Sequence, residues 1–182
     1  MNKTTLASRN TEIQAVLTRW TKESFLNSKS SGGVLIGELA LSCYVTHSRS
    51  ADGIDLLFLG NMDIPENLPG FVRVGPSIQK DKLTKTEIHE FTPASLNVMD
   101  LVVHKVFDTA VMSKEGVRIA SKEGLIALKL LAAKVPRQRL GSLADVVNLL
   151  DGVSEVTTMA GWNLGEMQLE DLELCKQAHT KG

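Results

Sequence analysis

The chain has 182 residues, 43% of them hydrophobic and 23% charged, with 20 lysines and arginines against 21 acids for a net charge of −1. Those proportions exclude disordered, collagen-like and cysteine-framework chains, and a single domain of this size buries about 70% of its unfolded surface without disulfides or metals. Balanced charge also argues against coating by nucleic acid or membrane, which needs a basic surplus on some surface. Two distant cysteines, Cys43 and Cys175, read as reduced core thiols. The opening segment MNKTTLASRNTEIQ is polar, and no run reaches the roughly 18 apolar residues of a membrane span, so the expected location is the cytoplasm.

In chain order, Ile13, Val16, Leu17 and Trp20 fall at the i, i+3, i+4, i+7 spacing of one helical face, predicting a helix over 11–26. Val34-Leu35-Ile36, bounded by glycines, suits a buried strand closed by Gly37, while 38–45 is apolar nearly throughout and fits helix or strand equally. Residues 54–59 have the composition of a central strand with one carboxylate, Asp55, set into it. Strands follow over 71–74 and 87–91, the second stopped by Pro93. A helical spacing covers 96–107, and a hairpin over 110–120 turns at Gly116. Ser121 caps a helix running to about 134, with Pro136 beyond its end. Ser142 opens another helix to 150, which sets Asp145 in a first turn where it offsets the macrodipole, and a last helix lies near 167–178. The order reads as α+β: a mixed sheet flanked by helices over residues 1–120, with a C-terminal helical cluster over 121–182 in the same domain.

Four segments carry a resemblance. Gly37-Glu38-Leu39-Ala40 is followed by Arg49-Ser50-Ala51-Asp52-Gly53-Ile54-Asp55, then by the Ser121 helix with Lys129, then by Arg137-Gln138-Arg139 leading to Asp145. Their order and spacing resemble the minimal nucleotidyltransferase superfamily, particularly the branch of AbiEii-type toxins. The resemblance implies a nucleotidyltransferase-like mixed sheet and, for an active member, Mg²⁺ with a nucleoside triphosphate. It places catalytic roles on Asp55, Asp52 and Lys129, nucleotide contacts on Gly37, Glu38, Arg49 and Asp145, and metal ligation on Asp55, Asp52 and His89.

The physics of two-metal phosphoryl transfer makes the departures informative. It needs carboxylates converging on ions about 3.5–4 Å apart, and positions i and i+2 of a strand deliver two side chains to one face. Here those positions hold Gly53 and Asp55, so one ligand is missing. Asp52 projects from the other face of a regular strand unless a bulge turns it. His89 stands where the family's third carboxylate falls, and imidazole suits zinc, nickel or copper better than magnesium. Glu38 sets a carboxylate where a triphosphate would be held. The expectation is a decayed site serving nucleotide binding or an interaction. Its rivals are an active transferase, toxin-like and acting on RNA, protein or a small molecule through Asp52, Asp55 and Glu87 or Glu90, and a purely structural partner. Gly53→Asp is expected to restore the pair and part of the metal binding.

Lys129 sits in a helix apolar on nearly all sides, which predicts a carboxylate such as Asp55 or Asp145 within reach or a path to solvent. Charge is also segregated. Between 124 and 144 the charges are Lys129, Lys134, Arg137 and Arg139, whereas 145–173 holds seven acids and no base. A basic loop beside an acidic region could hold an anionic ligand, a nucleotide or an RNA.

Overall fold

A computed structural model describes residues 3–27, 32–45, 51–60, 64, 65, 67–96, 100–150, 159 and 161–181. Its first element, helix α1 (Lys3–Asn27), is far longer than the predicted span, and Ile13, Val16, Leu17 and Trp20 form the buried stripe that the spacing foretold. The strands are β1 (Val34–Ile36), β2 (Ile54–Leu57), β3 (Phe71–Gly75), β4 (Ile78–Asp81), β5 (Glu87–Phe91), β6 (Val111–Met112) and β7 (Arg118–Ile119). They make one seven-stranded mixed sheet in the order β3-β4-β5-β2-β1-β7-β6. The central pairings are β1 with β2 antiparallel, β2 with β5 parallel and β1 with β7 parallel.

The ambiguous apolar run after Gly37 is resolved as the short helix α2 (Gly37–Leu41), with Leu39, Ala40 and Leu41 all buried. The helical spacing over 96–107 is met by helix α4 (Asp100–Thr109) and by the last residue of the short helix α3 (Pro93–Leu96), which Pro93 opens rather than only closing β5; 97–99 lie outside the described residues. Helix α5 (Lys122–Ala132) begins as predicted, the Ser121 hydroxyl accepting from the Gly124 N–H at 3.1 Å.

Helix α6 (Pro136–Leu149) corrects the reading of its region. Pro136 does not follow the preceding helix as a stop; it is the first residue of the next, where its missing N–H costs nothing. Gly141 and Ser142 therefore lie inside α6, and Asp145 is a buried residue of its second half, remote from the macrodipole's positive end. Helix α7 (Glu166–His179) closes the chain's described part. Cys175 is buried as expected, whereas Cys43 is exposed.

Strand β4 went unforeseen because its pattern is inverted. The residues it buries are Gln79 and Asp81, both polar. They are satisfied from α1: the Trp20 indole N–H donates to Gln79 Oε1 at 3.3 Å, and the Arg19 guanidinium pairs with Asp81. Gln79 Nε2 in turn donates to Glu90 Oε1 at 2.6 Å, and Arg73 grips Glu90 through both terminal nitrogens at 2.7 and 3.1 Å. Burial of Gln79, Asp81 and Glu90 is tolerable because each of these side chains is hydrogen-bonded or ion-paired. This network occupies the α1 side of the sheet, and the opposite side of β5 is left to Glu87, His89 and Phe91, which are half-buried.

Candidate functional site

Asp55 is the second residue of β2, paired in register with Ile36 of β1 on one side and His89 of β5 on the other. Side chains at paired positions of neighbouring strands share a face, so Asp55 and His89 meet, Asp55 Oδ1 lying 3.1 Å from His89 Nδ1. Two residues earlier on β5, Glu87 points the same way and brings Oε2 to 3.4 Å from His89 Nε2, while its Oε1 accepts from Lys80 Nζ at 2.9 Å. A chain of contacts thus crosses three strands, Asp55 to His89 to Glu87 to Lys80. A neutral imidazole has one N–H and donates to one of the two carboxylates; an imidazolium donates to both.

Gly37 begins α2 at the end of β1 with φ +72°, a conformation that L side chains rarely adopt. It also has no room for a side chain, since a Cβ there would lie 2.0 Å from Asp55 Oδ2. Asp55 therefore faces the Gly37 turn. Burial pushes its carboxyl above the usual carboxylate range, and the neighbouring Glu38 adds to this, against the opposing pull of His89 and Lys129. Glu87 moves the other way, its carboxyl drawn down by the hydrogen bonds from Lys80 and His89.

Lys129 projects from α5 into the same region, 14% exposed. Its Nζ donates to Asp145 Oδ2 at 2.6 Å and to Glu38 Oε1 at 3.0 Å. The predicted carboxylate partner is present twice over, supplied by α2 and α6. Asp145 thus holds an internal ion pair rather than a helix terminus, and this corrects the first-turn reading.

The remaining candidates are dispersed. Asp52 lies exposed in the bend before β2. Arg49 falls in 46–50, outside the described residues. Glu90, offered as an alternative ligand, lies on the far face of β5, buried against Arg73 and Gln79, and cannot join Asp55. At Gly53 a Cβ would sit 2.9 Å from the Glu87 carbonyl oxygen and 3.7 Å from His89 Cε1, so β5 leaves no space for the aspartate expected there. Among the described residues, no group of three or more His, Cys, Asp or Glu side chains is placed to hold a metal ion. Of the four basic residues between 124 and 144, Lys129 is paired as above and Arg139 makes a two-pronged bridge to Asp171 of α7. Half of the basic loop is thus neutralised by the acidic run beside it.

No protein-family model matches the chain, and no curated protein matches it. Among solved structures it is similar to a crystal structure of an antigenic nucleotidyltransferase-like protein from Paracoccidioides brasiliensis, with a TM-score of 0.63 over 94% of this chain and 88% of that one, at 16% sequence identity. The fold is nucleotidyltransferase-like. At that identity the likeness extends to architecture alone. Within a nucleotidyltransferase-like fold, the turn at Gly37, the carboxylate at Asp55 and the lysine at position 129 come together in space although 92 residues separate the first from the last. Sequence reasoning missed one member of the cluster's ion-pair chemistry, the Glu38–Lys129 bridge; the signal available was that each residue was singly charged in an apolar surrounding. Among the described residues no helix is long and apolar enough to cross a membrane.

Proposed function

We propose that this chain is a nucleotidyltransferase-like module whose metal site has decayed and which, of the two roles expected of it, serves an interaction with a partner rather than nucleotide binding or transfer. The observation that carries the reading is at Gly53, where a second strand carboxylate beside Asp55 is both absent and sterically excluded by the Glu87 carbonyl. Mg²⁺ relies on one or two carboxylates plus substrate phosphates, in strict octahedral geometry. Asp55 offers one carboxylate, already engaged by the imidazole that stands in the third ligand's place. The donor set does not fit a magnesium pair.

The electrostatics favour the same reading. Glu38 and Asp145 both bind the Lys129 ammonium and Asp55 lies within its electrostatic reach, so three carboxyl groups share one lysine, an arrangement that repels a triphosphate rather than attracting it. Membership of the AbiEii-type branch rests on the order of the motifs, and the cytoplasm is the expected location.

Incubation with nucleoside triphosphates labelled at the α-phosphate, in Mg²⁺ or Mn²⁺, is expected to give no transfer to the protein, to RNA or to small acceptors. Calorimetry with a non-hydrolysable triphosphate is expected to show no micromolar, Mg²⁺-dependent binding. The rival reading has one observation of its own, since Glu87 shares a face with Asp55. Label transfer abolished by Glu87→Gln would establish a rearranged active site and overturn the proposal.

A further inference from the structure

The acidic run over 145–173 divides in the folded chain. Asp145 and Asp171 turn inward and neutralise Lys129 and Arg139. Glu166, Glu170 and Glu173 turn outward on α7. Asp151 and Glu155 lie outside the described residues.

Helix α7 is unusual in what each side carries. Its buried positions are Gln168, Asp171, Leu172 and Cys175, at the i, i+3, i+4, i+7 spacing, so half of the inward stripe is polar. Three of its larger apolar side chains are left outside: Met167 is 52% exposed, Leu169 43% and Leu174 56%. On the helical wheel the glutamates form a central ridge with Leu169 on one flank and Leu174 on the other. The one base on this surface, Lys176, is bound to Glu173. Single exposed leucines are ordinary, but three apolar side chains bordering one acidic ridge make a patterned surface.

We propose that the outward face of α7 is a docking surface for a basic amphipathic helix of a partner protein, with Leu169 and Leu174 taking its apolar residues and the glutamates its lysines or arginines. The occupant follows from charge. A second copy docked through the same face would set Glu166, Glu170 and Glu173 against their own counterparts, a like-charge contact that selects against self-association. Nucleic acid and anionic lipid are repelled for the same reason. A helix of opposite pattern has complementary charge along the 14 residues of α7, about 21 Å, and buries both leucines. The proposal builds on the interaction reading above by naming a surface and a partner class, but it uses no residue of the Asp55 cluster.

The test uses the full chain and two synthetic helical peptides, measured by fluorescence anisotropy without Mg²⁺ or nucleotide, so that the outcome is separate from that of the transfer assay. One peptide carries leucines at helical spacing flanked by lysines; the other has glutamate for every lysine. The lysine peptide is expected to bind at least about tenfold more tightly, and to weaken as salt rises. The double variant Leu169→Ser/Leu174→Ser, which removes apolar area without adding charge, is expected to lose about tenfold or more, with circular dichroism checking that the variant is folded. Glu170→Lys, with the leucines intact, should narrow the preference between the peptides. Equal binding of the lysine peptide to the original and the leucine variant would overturn the proposal, as would a dimer in sedimentation that dissociates on the leucine substitutions.

Discussion

A β-carbon added to Gly37 would fall 2.0 Å from Asp55 Oδ2, so the turn that starts α2 packs directly against the carboxylate of β2 and leaves no room for a side chain between them. The glycine is required twice, by its φ of +72° and by this contact. Gly37→Ala is expected to cost about 2–4 kcal/mol, combining left-handed strain with overpacking. Urea unfolding measures the loss, and a nuclear magnetic resonance shift of His89 would report displacement of Asp55.

Lys129 separates two acids that otherwise face one another. Lys129→Met is expected to destabilise by about 3–5 kcal/mol, because it leaves uncompensated carboxylates at a nearly buried position. Adding Asp145→Asn should recover a substantial part. A double variant no more stable than the single one would mean that the pair is not coupled.

The two perturbed aspartates should give opposite pH signatures. Burial raises the folded carboxyl of Asp55, so its contribution to stability is fully present below the unfolded value of about 3.9 and is lost as pH rises through the folded value. Asp55→Asn is therefore expected to stabilise the protein near neutrality and to make no difference at strongly acidic pH. Asp81 has the reverse sign. Its burial opposes ionisation but is outweighed by hydrogen bonds from Thr84 and by Arg19, which hold the carboxyl below the ordinary range. Asp81→Asn should destabilise above the unfolded value, with the difference shrinking as pH falls through the folded one. Thermal melts at a series of pH values distinguish the two.

Gly53→Asp, which would rebuild a paired-carboxylate strand on paper, is expected to fail in the molecule. Its Cβ meets the Glu87 carbonyl at 2.9 Å, and backbone cannot retreat as a flexible side chain can. A cost of about 1–3 kcal/mol, with no gain in Mg²⁺ affinity by calorimetry, is the expected result. Tighter metal binding by the variant would show that β5 yields.

What the sequence made legible follows the physics of each element. Buried apolar periodicity placed the stripe of α1 and strands β1 and β2, and a side-chain cap placed the start of α5. Strand β4 was hidden because the residues it buries are Gln79 and Asp81, whose partners on α1 lie about 60 residues upstream, where no local pattern announces them. Helix α6 was misplaced because Ser142 after Gly141 imitates a cap; Pro136 carried the truer signal. At the candidate site, residue identity located Asp55 and Lys129, but only the register of β2 on β5 reveals that His89 completes a contact and that Gly53 is closed to a side chain.

The clasp between α1 and β4 also bears on how the chain is made. Ile13, Val16, Leu17 and Trp20 leave the ribosome well before Gln79 and Asp81 are synthesised, and β1 waits longer still for its parallel partner β7. At roughly 5–20 residues per second, the apolar stripe of α1 stays uncovered for several seconds of elongation. Closure of such distant contacts places refolding in the slower, millisecond-to-second range of small domains. Until those contacts close, the nascent helix presents an uncovered apolar stripe to its surroundings.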